Sequence, residues 1–384
     1  YRRLLCCTHS HSVTAQMEMG IKQLALSLLL VLCGCFGYQQ GVEANPVTVF
    51  ERGESGYFCV KIPILLYLRS GTILAFGEAR KYSCADTAWT DLVTKRSLDN
   101  GTTWSDLEVV YSNSSNSSVT QIGNAVPVQL NDTAGTVLVP FCMNNSQIFL
   151  TKSTDDGVSW TAPRELPGLV HSTWKWVGLG PPGSIQLESG RILSPAYHTF
   201  GPRFNGQLTH GHTILSDDMG ETWRLGATQY GSATHFSNEV QAVQLRNGNI
   251  LVNARALLTH RVQAISTDEG ETFGDSRLVP ELREPFDGCE GSLVINRAKD
   301  TLLYNGPNSD SLYRLNMTLW RSPDATGETW EPVLNVDPSN AGYSSLQFLH
   351  SDESAVGILW EQSDEKRVVM LPDRIVFQAF PVPK

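Results

Sequence analysis

The sequence has few charged residues, and basic residues are in the minority. Only 18% of the 384 residues are Asp, Glu, Lys or Arg, a fraction too low for a disordered chain or a coiled coil. The 29 Lys and Arg residues against 39 Asp and Glu residues leave a formal net charge of −10, which argues against nonspecific binding to nucleic acid. A hydrophobic content of 41% is sufficient for a core, so we expect a folded globular chain.

Local motifs of phosphate and metal sites are missing as well. The sequence contains no Gly-rich phosphate loop and no His-Glu-x-x-His motif. His210 and His212 could present two imidazoles on one strand face, but no third ligand lies close by in the sequence, so an ordinary strand pair is the favoured interpretation. We therefore expect neither a metal ion nor an organic cofactor.

A hydrophobic run long enough to span a bilayer comfortably is also absent. The apolar segment 24–37 follows Lys22, and its length and position match the core of a signal peptide. We predict that residues 1–44 comprise sequence upstream of the first Met followed by a signal peptide that is cleaved near Ala44. Residues 45–384 are predicted to form one domain without a stable membrane span.

The predicted mature chain has features of the secretory route. An even number of cysteines permits two disulfides in three pairings, and Cys59 and Cys84 could bridge adjacent strands, although buried free thiols are the alternative. Six Asn-x-Ser/Thr sequons add support for this route and predict a secreted or lysosomal protein. The four cysteines are Cys59, Cys84, Cys142 and Cys289, and the sequons begin at Asn100, Asn113, Asn116, Asn131, Asn144 and Asn316.

Five near-copies of one short turn motif recur along the chain. Each contains Ser, Asp, Gly, a hydroxyl residue and an aromatic residue in that order, and the Asp can cap backbone N–H groups while the Gly permits a left-handed backbone. The aromatic residues lie 56, 63, 50 and 57 residues apart, a recurrence typical of a repeated supersecondary unit such as a propeller blade. They are Trp104, Trp160, Trp223, Phe273 and Trp330.

Short apolar or alternating runs lie between these turns. Runs such as 72–76 and 249–253 are bounded by Gly, Asn or Ser and predict strands. No window of helical length has a convincing apolar stripe with a 3.6-residue period. We therefore predict an all-β propeller, in which a functional site is assembled at the mouth of the central axis from residues far apart in sequence.

One stretch of sequence resembles a known family. Lys61, Ile62 and Pro63 are followed by Arg80 and then by Asp86, and together with the turn motifs this stretch resembles the sialidase (exo-α-neuraminidase) family, including its secreted and lysosomal animal members. The resemblance covers essentially the whole chain after residue 50. It implies a six-bladed β-propeller and an enzyme that acts on sialic acid.

The resemblance also implies three catalytic residues. Asp86, which lies 25 residues after Lys61, stands where the family has its general acid/base. Glu239 stands where the family has the Glu that activates a nucleophilic Tyr, and Tyr343 stands in the segment that holds this nucleophile. Each could instead be a loop cap, an exposed strand residue or core filling.

Three cations stand where the family has its substrate-binding arginines. Arg255, 16 residues after Glu239, and Arg314 match the second and third, but the first is Lys61. Lys keeps the positive charge and loses the two-pronged hydrogen-bonding geometry of Arg. Arg80 is grouped with the substrate-binding residues, and Glu361 is implied to steady the first cation, with ordinary ion pairs as the alternative for both.

These residue types suit the chemistry of a sugar acid. Cations bind the carboxylate on the anomeric carbon, and that carboxylate would repel a carboxylate nucleophile, whereas a neutral Tyr avoids the repulsion. Glu239 would accept the proton of Tyr343, and the cations Arg255 and Arg314 would favour the phenolate. Asp86 would protonate the leaving oxygen and then activate water, so the configuration would be retained over two displacements.

The resulting hypothesis is an exo-sialidase that acts on sialylated glycoproteins, glycolipids or oligosaccharides. The alternatives are a catalytically impaired, lectin-like propeller, a trans-sialidase and a hydrolase of a related nonulosonic acid. Four mid-chain aromatic residues could line the glycerol or aglycone side of the site, with core packing as an equal alternative. They are Trp174, Trp176, Tyr197 and His198.

Overall fold

β-Branched and aromatic residues in short runs, closed by Gly and Asn turns, build the fold. The computed structural model describes residues 45–113, 119–201, 209–228, 237–256, 259–350, 352–365 and 371–383. Over these residues there are 25 β-strands and one 3-10 helix, Glu54–Gly56. None of the described segments forms a helix with the length and apolarity needed to cross a membrane. The predicted leader, 1–44, lies outside the described residues.

The strands follow one another along the chain in meandering antiparallel sheets. The first strand is β1 (Val47–Glu51), and the first sheet contains β2 (Cys59–Tyr67), β3 (Ile73–Arg80), β4 (Thr90–Ser97) and β5 (Glu108–Tyr111). The second contains β6 (Ile122–Gly123), β7 (Val128–Gln129), β8 (Val137–Met143), β9 (Gln147–Ser153) and β10 (Arg164–Glu165). The third contains β11 (Trp176–Leu179), β12 (Ile185–Gln186), β13 (Ile192–Thr199), β14 (Thr209–Ser216) and β15 (Arg224–Leu225).

The later strands complete two more sheets. The fourth contains β16 (Val240–Gln244), β17 (Ile250–Ala254), β18 (His260–Ser266) and β19 (Arg277–Arg283). The fifth combines β1 with β20 (Ser292–Asn296), β21 (Thr301–Pro307), β22 (Leu315–Ser322), β23 (Glu331–Leu349), β24 (Ala355–Ser363) and β25 (Arg374–Pro381). Because β1 pairs with β25, the two ends of the described chain close on each other.

The arrangement is all-β and propeller-like, as the sequence predicts. The described strands form five hydrogen-bonded sheets, of which the fifth has seven strands. The predicted number of six blades is therefore not confirmed by the sheets as they stand. The count is five because β23, which is 19 residues long, pairs with β22 through its first part and with β24 through its second part. It therefore joins two groups of strands into one seven-stranded sheet.

The turn motifs are held by internal hydrogen bonds and pack against the neighbouring sheet. In the first motif the Asp99 carboxylate accepts hydrogen bonds from the backbone N–H of Thr103 at 2.8 Å and from its hydroxyl at 2.6 Å. Trp104 of the first sheet packs edge-to-face on Phe377 of the fifth sheet, with ring centroids 5.5 Å apart. Gly101 has a φ of 85° beside the same ring, where a Cβ atom would meet Phe377 at 2.0 Å, so only Gly fits this turn.

One of the cysteine pairs expected from the sequence is present. Cys59 and Cys84 form a disulfide with their Cα atoms 5.8 Å apart, which confirms that pairing. The bond joins β2 to the loop that follows β3, rather than to another strand. Cys142 and Cys289 are buried free thiols, in line with the alternative for that pair.

Candidate active site

A tyrosine, a glutamate and an arginine from three separate strands or strand ends meet beside one cavity. The Tyr343 hydroxyl in β23 donates a hydrogen bond to Oε1 of Glu239, which directly precedes β16. Arg255, which directly follows β17, donates from Nη1 to Oε2 of Glu239 at 2.8 Å and to the Tyr343 oxygen at 2.9 Å. The structure thus brings together three residues that span 104 positions of the chain.

The position of Arg255 is fixed by the backbone on its outer side. Its Nε and Nη2 donate to the carbonyl oxygen of Asp287 at 3.0 Å and 2.6 Å. Gly288 has a φ of 69°, and a Cβ atom there would lie 2.7 Å from the Arg255 side chain. The tight loop after β19 therefore holds the guanidinium against Glu239 and Tyr343.

Burial controls the ionisation of Tyr343. Desolvation and the neighbouring Glu239 carboxylate raise the pKa of Tyr343 well above its usual value of 10, and the charges of Arg255 and Arg314 only partly oppose this rise. The sequence predicts that these cations favour the phenolate, and the net direction is the opposite. Tyr343 is therefore protonated, and its hydroxyl donates a hydrogen bond to Glu239.

Arg314 lies over the tyrosine ring. Its guanidinium carbon is 5.0 Å from the centre of the Tyr343 ring, a distance typical of a cation–π contact. Arg314 precedes β22, and its carbonyl accepts a hydrogen bond from the N–H of Ala341 at 3.2 Å. This contact ties the segment that carries Arg314 to the strand that carries Tyr343.

Lys61 is buried within β2 at a bulge in its pairing with β3. Burial lowers the pKa of its ammonium group, as do the charges of Arg80 and Arg314, while Glu361 and Asp86 oppose the change. The next residue, Ile62, has a φ of 58°, which is a strained conformation for a β-branched side chain. The first cation thus sits at a distorted point of its strand.

Glu361 in β24 holds backbone groups on both sides of the site. Its Oε1 accepts the N–H of Ile62 at 3.1 Å, and its Oε2 accepts the N–H of Tyr343 at 3.3 Å. The side chain is fully buried, so each carboxylate oxygen satisfies a backbone donor without competition from water. The sequence implies that Glu361 steadies Lys61, and its charge does act on Lys61. Its hydrogen bonds also connect β24 to β2 and β23.

Asp86 lies in the loop between β3 and β4 and pairs with Arg80. Arg80 donates from Nη1 to Asp86 Oδ1 at 2.8 Å and to the carbonyl of Cys84 at 2.7 Å, and from Nη2 to Glu78 Oε2 at 2.8 Å. The Asp86 side chain retains 38% exposure, compared with 4% for that of Arg80. Arg80 was grouped with the substrate-binding residues, and its guanidinium is directed at these protein groups.

One cavity connects these parts. Asp86 and Arg80 contribute one side of its lining, and Glu239 and Tyr343 contribute another. Trp176 and Tyr197 also line it, with ring centroids 5.0 Å apart. The remaining lining residues are Ile62, Glu78, Thr90, Gln121, Ile122, Gly123, Asn124 and Asn145.

The four mid-chain aromatic residues divide into two pairs. Trp176 and Tyr197 reach the cavity, whereas Trp174 stacks on His198 with ring centroids 3.9 Å apart. His198 also lies close to His212, with their Nδ1 atoms 3.1 Å apart. Burial lowers the pKa of His198 to about 3, so this cluster is an uncharged part of the core.

Several site residues were missed at the level of sequence. Glu78 is buried, pairs with Arg80 and accepts the N–H of Asn124 at 2.9 Å. Asn145 donates to the Asn124 side chain at 2.9 Å, and both asparagines have positive φ. Arg80 is singled out in the sequence, but nothing in the spacing indicates that Glu78 faces Asn124, because the two belong to different sheets.

The comparisons with known proteins identify the family. Residues 90–356 match a family model described as a BNR repeat-like domain. Sialidase-2 of Cricetulus griseus is 30% identical over 382 residues, which cover 87% of this chain and 96% of that protein. The chain therefore belongs to the sialidase family.

Solved structures support the fold. A Hadza microbial sialidase aligns with a TM-score of 0.75 at 24% identity, covering 89% of this chain and 70% of that one. The intramolecular trans-sialidase from Ruminococcus gnavus aligns with a TM-score of 0.70 at 17% identity, covering 88% of this chain and 97% of that one. These likenesses extend over most of the chain, as expected for a shared propeller-like architecture.

Proposed function

We propose that this protein is an exo-α-sialidase, a glycoside hydrolase that removes terminal sialic acid from glycoconjugates with retention of configuration. The observation that carries the proposal is the arrangement of Tyr343, Glu239 and Arg255. The phenol donates to a carboxylate that an arginine also binds, as a tyrosine nucleophile with its own base requires. Asp86 lines the same cavity, where it can serve the leaving group.

The first displacement would use all three catalytic residues. As the Tyr343 oxygen attacks the anomeric carbon, its proton passes to Glu239, so the high pKa of the free phenol is no obstacle in a concerted step. Asp86 protonates the departing glycosidic oxygen. The products are a sialyl–Tyr343 aryl ketoside, protonated Glu239, ionised Asp86 and the released aglycone.

The second displacement would return the enzyme to its starting state. Asp86, now ionised, takes a proton from water, and the hydroxyl oxygen attacks the anomeric carbon. The bond to Tyr343 breaks, and the phenolate recovers the proton from Glu239. Two inversions give net retention, which is the known consequence of a covalent glycosyl intermediate.

The substrate carboxylate would be held by Lys61, Arg255 and Arg314. The charges of Arg80 and Arg314 act on Lys61, and Arg314 and Arg255 both contact Tyr343, so the cations share one neighbourhood around the nucleophile. Their convergence places a carboxylate next to the attacked carbon. Lys61 supplies one point charge in place of a bidentate fork.

The same observations rank the alternatives. A lectin has no use for an acid, a base and a nucleophile in one cavity, so the hydrogen-bonded Tyr343 and Glu239 favour an enzyme. Transfer of the sugar to another acceptor, including an intramolecular one, uses the same first displacement. It differs only in which oxygen attacks the intermediate.

We also propose that the propeller has six blades. The fifth sheet can be divided within β23, so that its first part belongs with β20, β21 and β22 and its second part with β24, β25 and β1. The two parts and the four other sheets then make six.

For localisation we propose the secretory pathway, ending in the lysosome or outside the cell. The disulfide between Cys59 and Cys84 supports this proposal, because disulfides persist in oxidising compartments. The partners would be sialylated glycoproteins, glycolipids or oligosaccharides.

A trapping experiment tests the proposed function. The purified protein is incubated with an aryl α-sialoside while NMR follows the first anomer released, and separately with a fluorinated sialosyl fluoride that slows the second displacement. We expect turnover with the α-anomer first and a covalent adduct on the peptide that contains Tyr343. Binding of the sialoside without turnover would support the lectin, and a β-anomer as first product would exclude the tyrosyl intermediate.

A further inference from the structure

A disulfide connects the two segments that carry the proposed acid/base and the first cation. Cys59 lies in β2 two residues before Lys61, and Cys84 lies two residues before Asp86. We propose that this disulfide is a positioning element for Asp86, which keeps the acid at its reaction distance from the leaving oxygen. The inference rests on the function proposed above and deepens it.

The loop that carries Asp86 is not held by a strand ladder. Residues 81–89 lie between the end of β3 and the start of β4. The N–H of Lys81 donates to the carbonyl of Trp89 at 2.7 Å and closes the loop at its base, and the N–H of Ala88 donates to Ala85 within the loop. These bonds shape the loop, and the Lys81 side chain also pairs with Asp91 of β4 at 2.8 Å.

The disulfide and Arg80 act together on this loop. Cys59 is the direct ladder partner of Arg80 across β2 and β3. Arg80 donates to the carbonyl of Cys84 and to the carboxylate of Asp86 from the same nitrogen. Cys84 is therefore anchored twice: its side chain is bonded to Cys59, and its backbone carbonyl accepts a hydrogen bond from Arg80. The Asp86 carboxylate, two residues further on, accepts a hydrogen bond from the same Arg80 nitrogen.

Loss of the disulfide would remove one restraint on the segment that carries Asp86, while the hydrogen bond from Arg80 to Asp86 would remain. Asp86 is one of the more exposed side chains of the site, with 38% of its side chain accessible, so packing alone restrains it weakly. A displacement of about 1 Å at a reacting group costs roughly 10²-fold in rate. The effect would be confined to steps in which Asp86 moves a proton.

The choice of leaving group isolates that step. An aryl sialoside releases a stabilised phenolate that needs little protonation, whereas 3′-sialyllactose releases a sugar alkoxide that needs a well-placed acid. For the double variant Cys59→Ser, Cys84→Ser we expect kcat/KM on 3′-sialyllactose to fall about 10²-fold. We expect kcat/KM on the aryl sialoside to change less than about threefold, because kcat/KM reports only the steps up to the first displacement and not the activation of water by Asp86 in the second. Asp86→Asn should show the same split more strongly.

Matched controls separate positioning from general stability. Cys142→Ala removes a buried free thiol in β8 and should leave the ratio of the two activities unchanged. If the double variant fails to fold, wild-type protein is reduced with a phosphine under native conditions and then reoxidised, and the selective loss should appear and then reverse. Equal losses on both substrates, or no loss on either, would overturn the inference while the proposed function stands. A wild-type protein inactive on both substrates would overturn the proposed function itself.

Discussion

Two arginine–glutamate pairs lie close together in this protein, and they differ in what surrounds them. Arg255 pairs with Glu239 beside the cavity, and Arg261 in β18 pairs with Glu284 at 2.7 Å with both side chains essentially inaccessible. Arg261 also donates to Asn253 and to the carbonyl of Cys289. The same chemical pair is thus found both beside the cavity and sealed in the core.

Each of the two arginine–glutamate pairs also has a tyrosine nearby whose ring is covered by an arginine. Arg314 lies 5.0 Å from the ring centre of Tyr343, and Arg261 lies 5.3 Å from that of Tyr304. Burial raises the pKa of both phenols. Only Tyr343 donates to a carboxylate that lines the cavity, so access and orientation, rather than residue type, mark the candidate site.

The largest contrast is expected between the two tyrosines. Tyr343→Phe removes the nucleophile, and we expect kcat on an aryl sialoside to fall by at least about 10⁴-fold, on the scale seen when other covalent nucleophiles are removed. Tyr304→Phe should change kcat less than about threefold, because its hydroxyl lies in the core. Steady-state kinetics of the two purified variants measure both kcat values. A comparable loss of kcat in both variants would contradict the assignment of Tyr343, rather than Tyr304, to the active site.

The two glutamates should fail in different ways. Glu239→Gln removes the proposed base, and we expect kcat to fall about 10²- to 10⁴-fold. Glu284→Gln leaves the buried Arg261 without its counter-charge, which should reduce the free energy of unfolding by about 3–5 kcal/mol with little effect on the kcat of the folded fraction. Urea unfolding and active-site-normalised kinetics test both; a stable Glu284→Gln protein with low kcat would contradict the assignment.

Lys61 gives a smaller effect in the opposite direction. It is the one cation of the proposed carboxylate-binding group that is not an arginine. Lys61→Arg can add a second charge-assisted hydrogen bond of about 1.5 kcal/mol, so we expect KM to fall roughly tenfold. Arg246→Lys, on an exposed side chain, is the control. An unchanged or higher KM would place Lys61 away from the substrate carboxylate.

The smallest expected effect concerns pH. The pKa of Lys61 is lowered from 10.5 by burial, so kcat/KM should decline on the alkaline side as the ammonium loses its proton below that ordinary value. Between the lowered pKa of Lys61 in the folded protein and its ordinary value of 10.5, the unfolded chain keeps the Lys61 proton while the folded chain loses it. The free energy of unfolding therefore increases as pH rises through this range. Lys61→Arg should move the alkaline decline to higher pH, and an unmoved decline would assign it to another group.

Several parts of the site were predictable from the sequence because they lie in recognisable segments. Asp86, Glu239, Arg255, Arg314 and Tyr343 were all implied by the resemblance to the sialidase family, and the structure brings them to one neighbourhood. The direction of the Tyr343 pKa was not predictable. It depends on how completely the phenol is desolvated, and sequence carries no measure of burial at a single side chain.

The contacts made by supporting residues were harder to predict. Glu361 was expected at the first cation, and its charge does act on Lys61; that its oxygens also accept the N–H groups of Ile62 and Tyr343 was not foreseen. The left-handed φ of Ile62 is unusual for a β-branched residue, and no propensity would suggest it. Such features arise where strands from different sheets converge, which is a property of the closed arrangement.

By itself, the sequence determined the repeating architecture, because each turn motif contains its own capping Asp, its own Gly and its own packing ring within a few residues. Only the tertiary structure decided which Arg–Glu–Tyr group faces a cavity and which is sealed in the core. The physical reason is distance along the chain. Short-range hydrogen bonds are encoded locally, whereas the burial and electrostatic field at Tyr343 are set by residues distant in sequence, such as Glu239, which is 104 positions away.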